Sequence, residues 1–273
     1  MNNQKRNTAP ELLIQKANVD NVIAVMSGKG GVGKSTIAGL LSSSLQQRGY
    51  SIGLLDADIT GPSIPKLFGI HQTPLSSPEG ILPVNSSNGI KIMSINLLLS
   101  EEDQPVIWRG PLIGRAIQQF WKDIKWGDLD FLIIDLPPGT GDAALTVMQS
   151  LPLEGIILIT SPQDLAGMVV RKAGNMAIHL GIQIIGVVEN MSHIICPKCG
   201  ESINLFGTSQ AENTAHILES KLLGRMPLDT KLSVMCDKGE IENYYSKEFE
   251  IVVDNVLQFG LVNDMETSAD IKV

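Results

Sequence analysis

Short apolar runs rich in β-branched residues alternate along the chain with segments whose apolar residues recur at helical spacing. The runs are almost continuously apolar, which is typical of parallel strands buried on both faces. The predicted strands are 21–26, 51–55, 91–98, 131–135, 155–160, 182–188 and 221–225. The predicted helices are one that begins near Lys34 and others at 64–68, 111–124, 165–180, 232–238 and 244–259. This alternation predicts an α/β fold, with a mostly parallel doubly wound sheet and helices on both faces.

The remaining segments divide the chain into one domain with two short appendages. Residues 60–90 are rich in proline, glycine and serine, and we expect a long functional loop or insertion beyond the short helix. No internal repeat or linker splits the chain, so we expect a single domain over 21–262. Residues 1–20 are polar and contain the breaker Pro10, which predicts an N-terminal arm, and the polar segment 263–273 predicts a flexible tail.

Composition narrows the class of protein further. Of the 273 residues, 43% are hydrophobic but only 4% are aromatic, so the core should be mostly aliphatic. The formal net charge of −8 disfavours a nucleic-acid-binding surface. Neither a transmembrane stretch nor a signal-peptide core is visible, so we expect a cytoplasmic protein that binds neither membrane nor nucleic acid. Three cysteines, two of them close together, suggest metal or redox chemistry rather than a disulfide framework.

A glycine-rich segment directly after the first predicted strand fits the phosphate-loop pattern G-x-x-x-x-G-K-S/T. The predicted ATP contacts in it are Gly28, Lys29, Gly30, Gly31, Val32, Gly33, Lys34, Ser35 and Thr36. Glycines let successive backbone N–H groups face one anion, and the start of the following helix adds partial positive charge. Lys34 should reach the β- and γ-phosphates, and the Ser35 hydroxyl should ligate Mg²⁺. A glycine-rich turn that binds nothing is the alternative, which the flanking strand and helix disfavour.

Hydrolysis also needs residues that hold the metal ion and position water. Asp135 ends a hydrophobic strand, where a carboxylate would hold Mg²⁺, and Gly139 follows in a loop able to bring a backbone N–H to the γ-phosphate. Asp58 closes the second predicted strand and is placed to orient the attacking water or bind a Mg²⁺ water. For Asp58 the alternative is a turn or helix-capping aspartate. We therefore expect Lys29, Lys34, Asp58 and Asp135 to be the catalytic residues.

The pair Cys196 and Cys199 is separated by two residues in a predicted loop, and this spacing lets two thiolates hold one metal centre. Two ligands do not complete a site, so the others must come from another cysteine or a second chain. A twofold dimer would pool four thiolates, enough for one 4Fe–4S cluster shared across the interface. A zinc site and a redox dithiol are the alternatives. Cys236 lies in an apolar helical stretch, where a buried structural thiol is expected.

The lysine after the first glycine of the loop, Lys29, is not required by an ordinary phosphate loop. The sequence Gly-Lys-Gly-Gly-Val-Gly-Lys-Ser resembles that of the deviant Walker A ATPases, which include MinD- and ParA-like proteins and the nitrogenase iron protein. In that group the second lysine crosses a dimer interface and contacts the partner's nucleotide, as an arginine finger does. The resemblance therefore implies a dimer formed around ATP. A solvated lysine is the alternative.

Over about residues 20–260 the resemblance becomes narrower, to the Mrp/Nbp-type iron–sulfur cluster carrier ATPases. Its motifs are the phosphate loop, the segments 56–65, 135–142 and 189–192, and the C-x-x-C within the predicted cluster loop 190–207. The resemblance implies a homodimer that binds a labile 4Fe–4S cluster and couples ATP hydrolysis to its transfer from scaffold proteins to apo iron–sulfur proteins. It also implies that Asn190, Pro227 and Asp229 lie near the adenine. A MinD/ParA-like positioning ATPase is the alternative function, although neither membrane nor DNA binding would need the cysteine pair.

Overall fold

The computed structural model describes residues 18–58, 61–98 and 110–269. Its strands, in chain order, are β1 (Val19–Ser27), β2 (Ile52–Asp56), β3 (Leu75–Ser77), β4 (Gly80–Leu82), β5 (Val84–Asn85), β6 (Lys91–Ser94), β7 (Leu129–Asp135), β8 (Gly155–Thr160), β9 (Gln183–Glu189), β10 (Ile194–Ile195), β11 (Ser202–Ile203) and β12 (Leu222–Arg225). Its α-helices are α1 (Lys34–Gln47), α2 (Ile64–Leu67), α3 (Gly110–Asp123), α4 (Asp142–Ser150), α5 (Asp164–His179), α6 (Ala211–Ile217), α7 (Thr230–Lys238) and α8 (Lys247–Ala269).

The central sheet has eight strands in the order β12-β9-β8-β1-β7-β2-β6-β5. Its pairs are parallel except at one edge, where the short strand β5 runs antiparallel to β6. Two small antiparallel hairpins, β3–β4 and β10–β11, stand outside it. The prediction of a mostly parallel, doubly wound sheet is thereby confirmed.

Each central strand contributes alternate side chains to two separate cores, because neighbouring residues of a strand point to opposite faces. On β1, Ile23 and Val25 belong to one core, whereas Ala24 and Met26 belong to the other. Helices α1, α2, α7 and α8 cover the first face, and α3, α4, α5 and α6 cover the second. Both faces are thus buried, which explains why the strands are almost continuously apolar in sequence.

The parallel arrangement brings the carboxyl ends of the strands to one edge of the sheet, where ligands bind in open α/β folds. The phosphate loop follows β1 at this edge, and Asp56 and Asp135 are the last residues of β2 and β7. These two aspartates are register partners on neighbouring strands. Glu189 ends β9 on the other side of β1. The fold therefore gathers several polar strand ends around the phosphate loop.

Several elements differ from the sequence prediction. The strand expected over 91–98 ends at Ser94 and is followed by a 3₁₀ turn at Ile95–Leu98, because the Ser94 hydroxyl accepts a hydrogen bond from the backbone N–H of Asn96. The expected loop at 60–90 contains the β3–β4 hairpin and β5, besides the short helix. Helices α4 and α6 were not predicted. They span nine and seven residues, and length alone does not explain the miss, since α2 and α7 are no longer than α4 and were predicted.

The two ends of the expected domain also shift. β1 begins at Val19, inside the expected arm, and residues 1–17 lie outside the described residues. Helix α8 continues to Ala269, into the expected tail at 263–273, and no proline or glycine interrupts the sequence after Gly260. Residues 270–273 lie outside the described part of the chain. Among the described helices, none combines the length and apolar content needed to cross a membrane.

We predict that Ile133→Ala lowers the free energy of unfolding by about 2–5 kcal/mol, since it removes buried atoms and leaves a cavity. Ile133 is 0% exposed on a central strand. The matched control is Ile251→Ala on α8, where the side chain is 58% exposed and the expected change is within about 0.5 kcal/mol. Urea unfolding followed by circular dichroism measures both values. Equal losses in the two variants would contradict the assignment of this core.

Candidate functional site

The phosphate loop depends on glycine at particular positions. Gly31 and Gly33 have φ angles of 79° and 82°, in the left-handed region that side chains disfavour. A Cβ on Gly28 would lie 2.4 Å from the backbone carbonyl carbon of Val169 on α5, so this position has no room for a side chain. Gly30, in contrast, has open space around it. The loop is thus folded by three conformational constraints and presents its open side at the start of α1.

Helix α1 begins directly after Gly33, and its first turn contains no acidic residue. No side chain caps its first backbone N–H groups. Uncapped N–H groups at a helix start, together with the helix dipole, favour a bound anion. The start of α1 is therefore available to a phosphate group, as the sequence motif predicts.

The sheet brings the predicted lysine, serine and aspartates together at this point. The buried ammonium group of Lys34 donates to Asp135 Oδ1 at 2.6 Å and lies 3.7 Å from Asp58 Oδ2. The Ser35 hydroxyl donates to Asp135 Oδ2 at 2.5 Å. Lys34 and Asp135 are 101 residues apart in sequence, and their contact follows from the position of β7 next to β1.

The site contains more carboxylates than cations near Lys34. Burial raises the pKa of Asp135, and the neighbouring Lys34 ammonium group opposes this effect. Burial together with the charge of Asp135 raises the pKa of Asp56 to about 8. A site with three carboxyl groups and one ammonium group can accept further positive charge. The oxygen atoms of Ser35 and Asp135 are the donor type that Mg²⁺ prefers, so the residues present fit that ion.

Asp56 has a positioning role that was not predicted from the sequence. Its Oδ2 accepts hydrogen bonds from the backbone N–H groups of Ser63 and Ile64, at 3.1 and 3.2 Å, and its Oδ1 accepts one from that of Asp58 at 3.2 Å. The Ser94 hydroxyl donates to the same carboxylate at 3.3 Å. Asp56 thus holds the chain before and after residues 59–60, which lie outside the described residues. The Asp-x-Asp spacing at the end of a strand was the available signal.

Lys29 and Gly139 lie at the entrance of the loop. The Lys29 ammonium group is partly exposed and donates to the side-chain oxygen of Gln163, in the segment after β8, at 2.6 Å. Gly139 has a φ of 85°, and its backbone N–H donates to Ser27 O at 2.9 Å. The structure therefore brings Gly139 beside the phosphate loop, but its backbone N–H, which was expected to face the γ-phosphate, is bonded to Ser27 O. Lys29 is bonded to Gln163.

The three residues expected near the adenine occupy two neighbouring strand ends. Asn190 follows β9, is buried, and donates from its side-chain amide to Val32 O in the phosphate loop at 2.9 Å. Pro227 and Asp229 follow β12, which pairs with β9. Asp229 caps helix α7 by accepting from the N–H of Lys231, and it also accepts from the Tyr244 hydroxyl. Asp229 thus already has a structural role, whereas Asn190 contacts the loop directly.

The cysteine pair lies at the turn of the β10–β11 hairpin. Cys196 is partly exposed and Cys199 is exposed. The turn is closed by the backbone N–H of Gly200, which donates to Cys196 O at 2.9 Å with Gly200 at a φ of 75°. Hydrogen bonds from the backbone N–H groups of Cys199 and Lys198 lower the pKa of the Cys196 thiol, which favours the thiolate that binds metals.

The surroundings of this pair are exposed and contain few further ligands. In the described ranges, no group of three or more histidine, cysteine or acidic side chains could hold a metal ion. The hairpin and the loop after it expose polar side chains such as those of Lys198 and Glu201. They also expose four large apolar side chains, those of Ile195, Ile203, Leu205 and Phe206. Cys236 lies apart from the pair, on α7, and packs half-buried against the core. Burial raises the pKa of its thiol, in keeping with a structural role.

Comparison with known proteins identifies relatives of nearly full length. A protein of Methanocaldococcus jannaschii named iron-sulfur cluster carrier protein is 43% identical over 270 residues, covering 93% of each chain. A protein of Clostridium perfringens with the same name is 43% identical over 238 residues, covering 84% of each.

Two solved structures are also similar to this chain. A nucleotide-binding protein of Archaeoglobus fulgidus, in complex with ADP and with cobalt found in it, has a TM-score of 0.77 and 43% identity over 85% of this chain and 92% of that one. The cell division ATPase MinD of Pyrococcus furiosus has a TM-score of 0.65 and 22% identity over 88% of this chain and 99% of that one, a likeness of fold alone. The ParA family described as NUBPL iron-transfer P-loop NTPase matches residues 18–258, and the chain belongs to this family.

Proposed function

We propose that this protein is an ATP-hydrolysing carrier of iron–sulfur clusters that works as a homodimer in the cytoplasm. Its cargo is a labile 4Fe–4S cluster, received from scaffold proteins and delivered to apo iron–sulfur proteins. The observation that carries the proposal is an accessible cysteine pair on the sheet edge that also holds a phosphate loop. The names of the M. jannaschii and C. perfringens relatives support the same cargo.

The nucleotide site works through residues that are already paired with one another. In the nucleotide-free chain, Lys34 neutralises Asp135, and both side chains are buried. With the Lys34 ammonium group engaged by a triphosphate, the oxygens of Asp135 and Ser35 would be free to hold Mg²⁺. The ion would supply positive charge against the phosphates. Asp58, fixed by Asp56, orients the attacking water.

The cargo site requires a second copy of the chain. Cys196 and Cys199 supply two of the four thiolates that a 4Fe–4S cluster takes. A twofold axis at the hairpin would place two identical pairs together and would bury the apolar side chains exposed beside them. The same dimer would allow the partly exposed Lys29 to leave Gln163 and reach the nucleotide of the partner subunit.

Anaerobic reconstitution with ferrous iron and sulfide tests the cargo. We expect broad brown absorbance and four irons per dimer, with both lost in Cys196→Ala and in Cys199→Ala because each variant halves the shared ligand set. Cys236→Ala is the matched control and should keep the absorbance, since Cys236 lies on another element. Stoichiometric zinc without the absorbance would favour a structural zinc site. A protein that stays monomeric with and without nucleotide would contradict the shared cluster.

We predict that Lys34→Ala abolishes ATP binding in equilibrium titration, because the variant removes the ammonium group that faces the phosphates. The matched control is Lys66→Ala on the adjacent helix α2, where the side chain is exposed and ATP affinity should not change. Circular dichroism checks folding, since Lys34→Ala also leaves the buried Asp135 without its partner. Unchanged ATP affinity in folded Lys34→Ala would remove the phosphate-loop assignment.

We predict that Lys29→Ala keeps ATP binding but lowers turnover by a factor on the order of 10³, as loss of an arginine finger does. Mixing two inactive variants gives a sharper result. In a mixed dimer, a Lys34→Ala subunit supplies Lys29 to the intact nucleotide site of a Lys29→Ala subunit, so activity should return. Normal hydrolysis by Lys29→Ala alone, or no recovery in mixed dimers proven by mass spectrometry, would refute action across the interface.

A further inference from the structure

The cysteine hairpin is joined to the domain through a short base next to the phosphate loop. On the outgoing side, Asn190 directly follows β9 and comes six positions before Cys196 in the printed chain. On the return side, the hydroxyl of Ser209 donates to Glu189 Oε1 at 2.8 Å. Between these points the residues from Cys199 to Gly207 are exposed. The orientation of the cysteines therefore depends on the few residues that form the base.

The first of these residues touches the phosphate loop itself. Asn190 is 5% exposed, and its side-chain amide donates to Val32 O at 2.9 Å. Its amide nitrogen lies 2.2 Å from the position that a Cβ on Gly33 would occupy, so Gly33 leaves just the room the amide needs. The backbone N–H of Asn190 donates to Thr160 O at the end of β8. Asn190 is thus held between the sheet edge and the loop that binds phosphate.

The second residue of the base has an unfavourable backbone conformation. Met191 has a φ of 56°, in the left-handed region that residues with a Cβ seldom adopt. Its terminal methyl lies 3.8 Å from the same Cβ position at Gly33. Strained residues of this kind persist where their surroundings hold them, and they are found at switch regions. The side chain of Met191 thus lies beside Gly33 of the phosphate loop.

An ordered segment connects Met191 to the cysteines. The backbone N–H of Ser192 donates to Met226 O at 2.9 Å, and that of Leu228 donates to His193 O at 2.8 Å. This pairing continues the parallel contact between β9 and β12 and leads into β10, whose last residue precedes Cys196. A change in the backbone angles at Met191 would therefore turn the strand that carries the cysteines.

We propose that Asn190 and Met191 are positioning residues that transmit occupancy of the phosphate loop to the cysteine pair, so that nucleotide regulates the cargo site. This inference rests on the proposed function. A triphosphate draws the N–H groups of the loop toward itself and moves the peptide of Val32. The side-chain amide of Asn190 either moves with the Val32 carbonyl or loses its hydrogen bond to it. In both cases the packing around Met191 changes. Relaxation of Met191 then reorients the hairpin and its two thiols.

The test measures the alkylation rate of Cys196 and Cys199 in cluster-free protein, in the Cys236→Ala background so that other cysteines do not react. Rates with iodoacetamide are compared without nucleotide and with saturating, non-hydrolysable ATP analogue and Mg²⁺. We expect a rate change of about fivefold or more, the lower end of ordinary coupling between sites. Sedimentation at the same concentrations selects conditions where the oligomeric state is equal in both samples, so that dimer formation does not account for the change.

Met191→Gly should remove most of this rate change, since glycine accepts the left-handed conformation without strain and no longer links the loop to the hairpin. The matched control is Glu219→Gly. Glu219 is the other non-glycine residue with positive φ in the described part of the chain, at 50°. It lies in the turn before β12, at the amino-terminal end of the parallel strands, whereas Met191 follows the carboxyl end of β9. This control should keep the full nucleotide effect. Saturation of each variant is verified by titration.

Equal rates with and without nucleotide in the parent protein, or a full nucleotide effect in Met191→Gly, would overturn the coupling. Reconstitution of the same samples with iron and sulfide separates this failure from failure of the proposed function. If the cluster forms but nucleotide leaves the thiols unaffected, the coupling alone is wrong. If nucleotide changes the thiol rates but no cluster forms, the carrier function is wrong, and the coupling loses the cargo that it is proposed to regulate.

Discussion

The buried ion pair between Lys34 and Asp135 is the interaction around which the functional edge is built. An ammonium group and a carboxylate are stable in so buried a site only because each neutralises the charge of the other. Removing one would leave an uncompensated charge inside the domain. The pair also ties the start of α1 to the end of β7, two elements that are distant in the chain. The stability of this edge and its ability to bind phosphate thus depend on the same contact.

This pair is possible because the sheet is covered on both faces. Two aliphatic cores, one on each side, leave the carboxyl edge as the place where polar side chains can meet solvent and ligand. Asp56 shows how that edge is organised. Its carboxyl group is fully buried and accepts hydrogen bonds from backbone N–H groups. These bonds fix the segment that carries Asp58. The carboxyl groups at this edge therefore take their positions from the pairing of β2 with β7.

The cysteine hairpin, unlike the buried phosphate-loop site, is exposed. It buries little of itself, exposes apolar side chains and holds its thiols through local backbone hydrogen bonds. This exposure fits the proposed function, in which the hairpin would exchange a large inorganic cargo and be covered by a second copy of the chain. At its base, hydrogen bonds to Val32, Glu189 and Met226 tie it to the rigid domain. Carrier and nucleotide chemistry can therefore influence each other through a few contacts.

The chain by itself determined what is local. Apolar runs predicted the central strands, and Gly28 to Thr36 predicted the phosphate loop, because a run, a period or a motif lies within a few neighbouring residues. Short elements were found less evenly: α2 and α7 were predicted, whereas α4 and α6 were not. The cysteine spacing predicted a half-site without saying which elements would lie beside it.

The tertiary structure decided what depends on strand order. The motifs placed Asp135 in the same site as Lys34, but no local pattern indicates that the two form an ion pair, that Asp56 holds the chain around Asp58, or that Asn190 reaches the carbonyl of Val32. Each of these contacts joins residues at the ends of strands. The order of those strands depends on burying both faces of the sheet. Burial is a property of the whole sheet, so the positions of these side chains follow from the fold and not from the residues on either side of them.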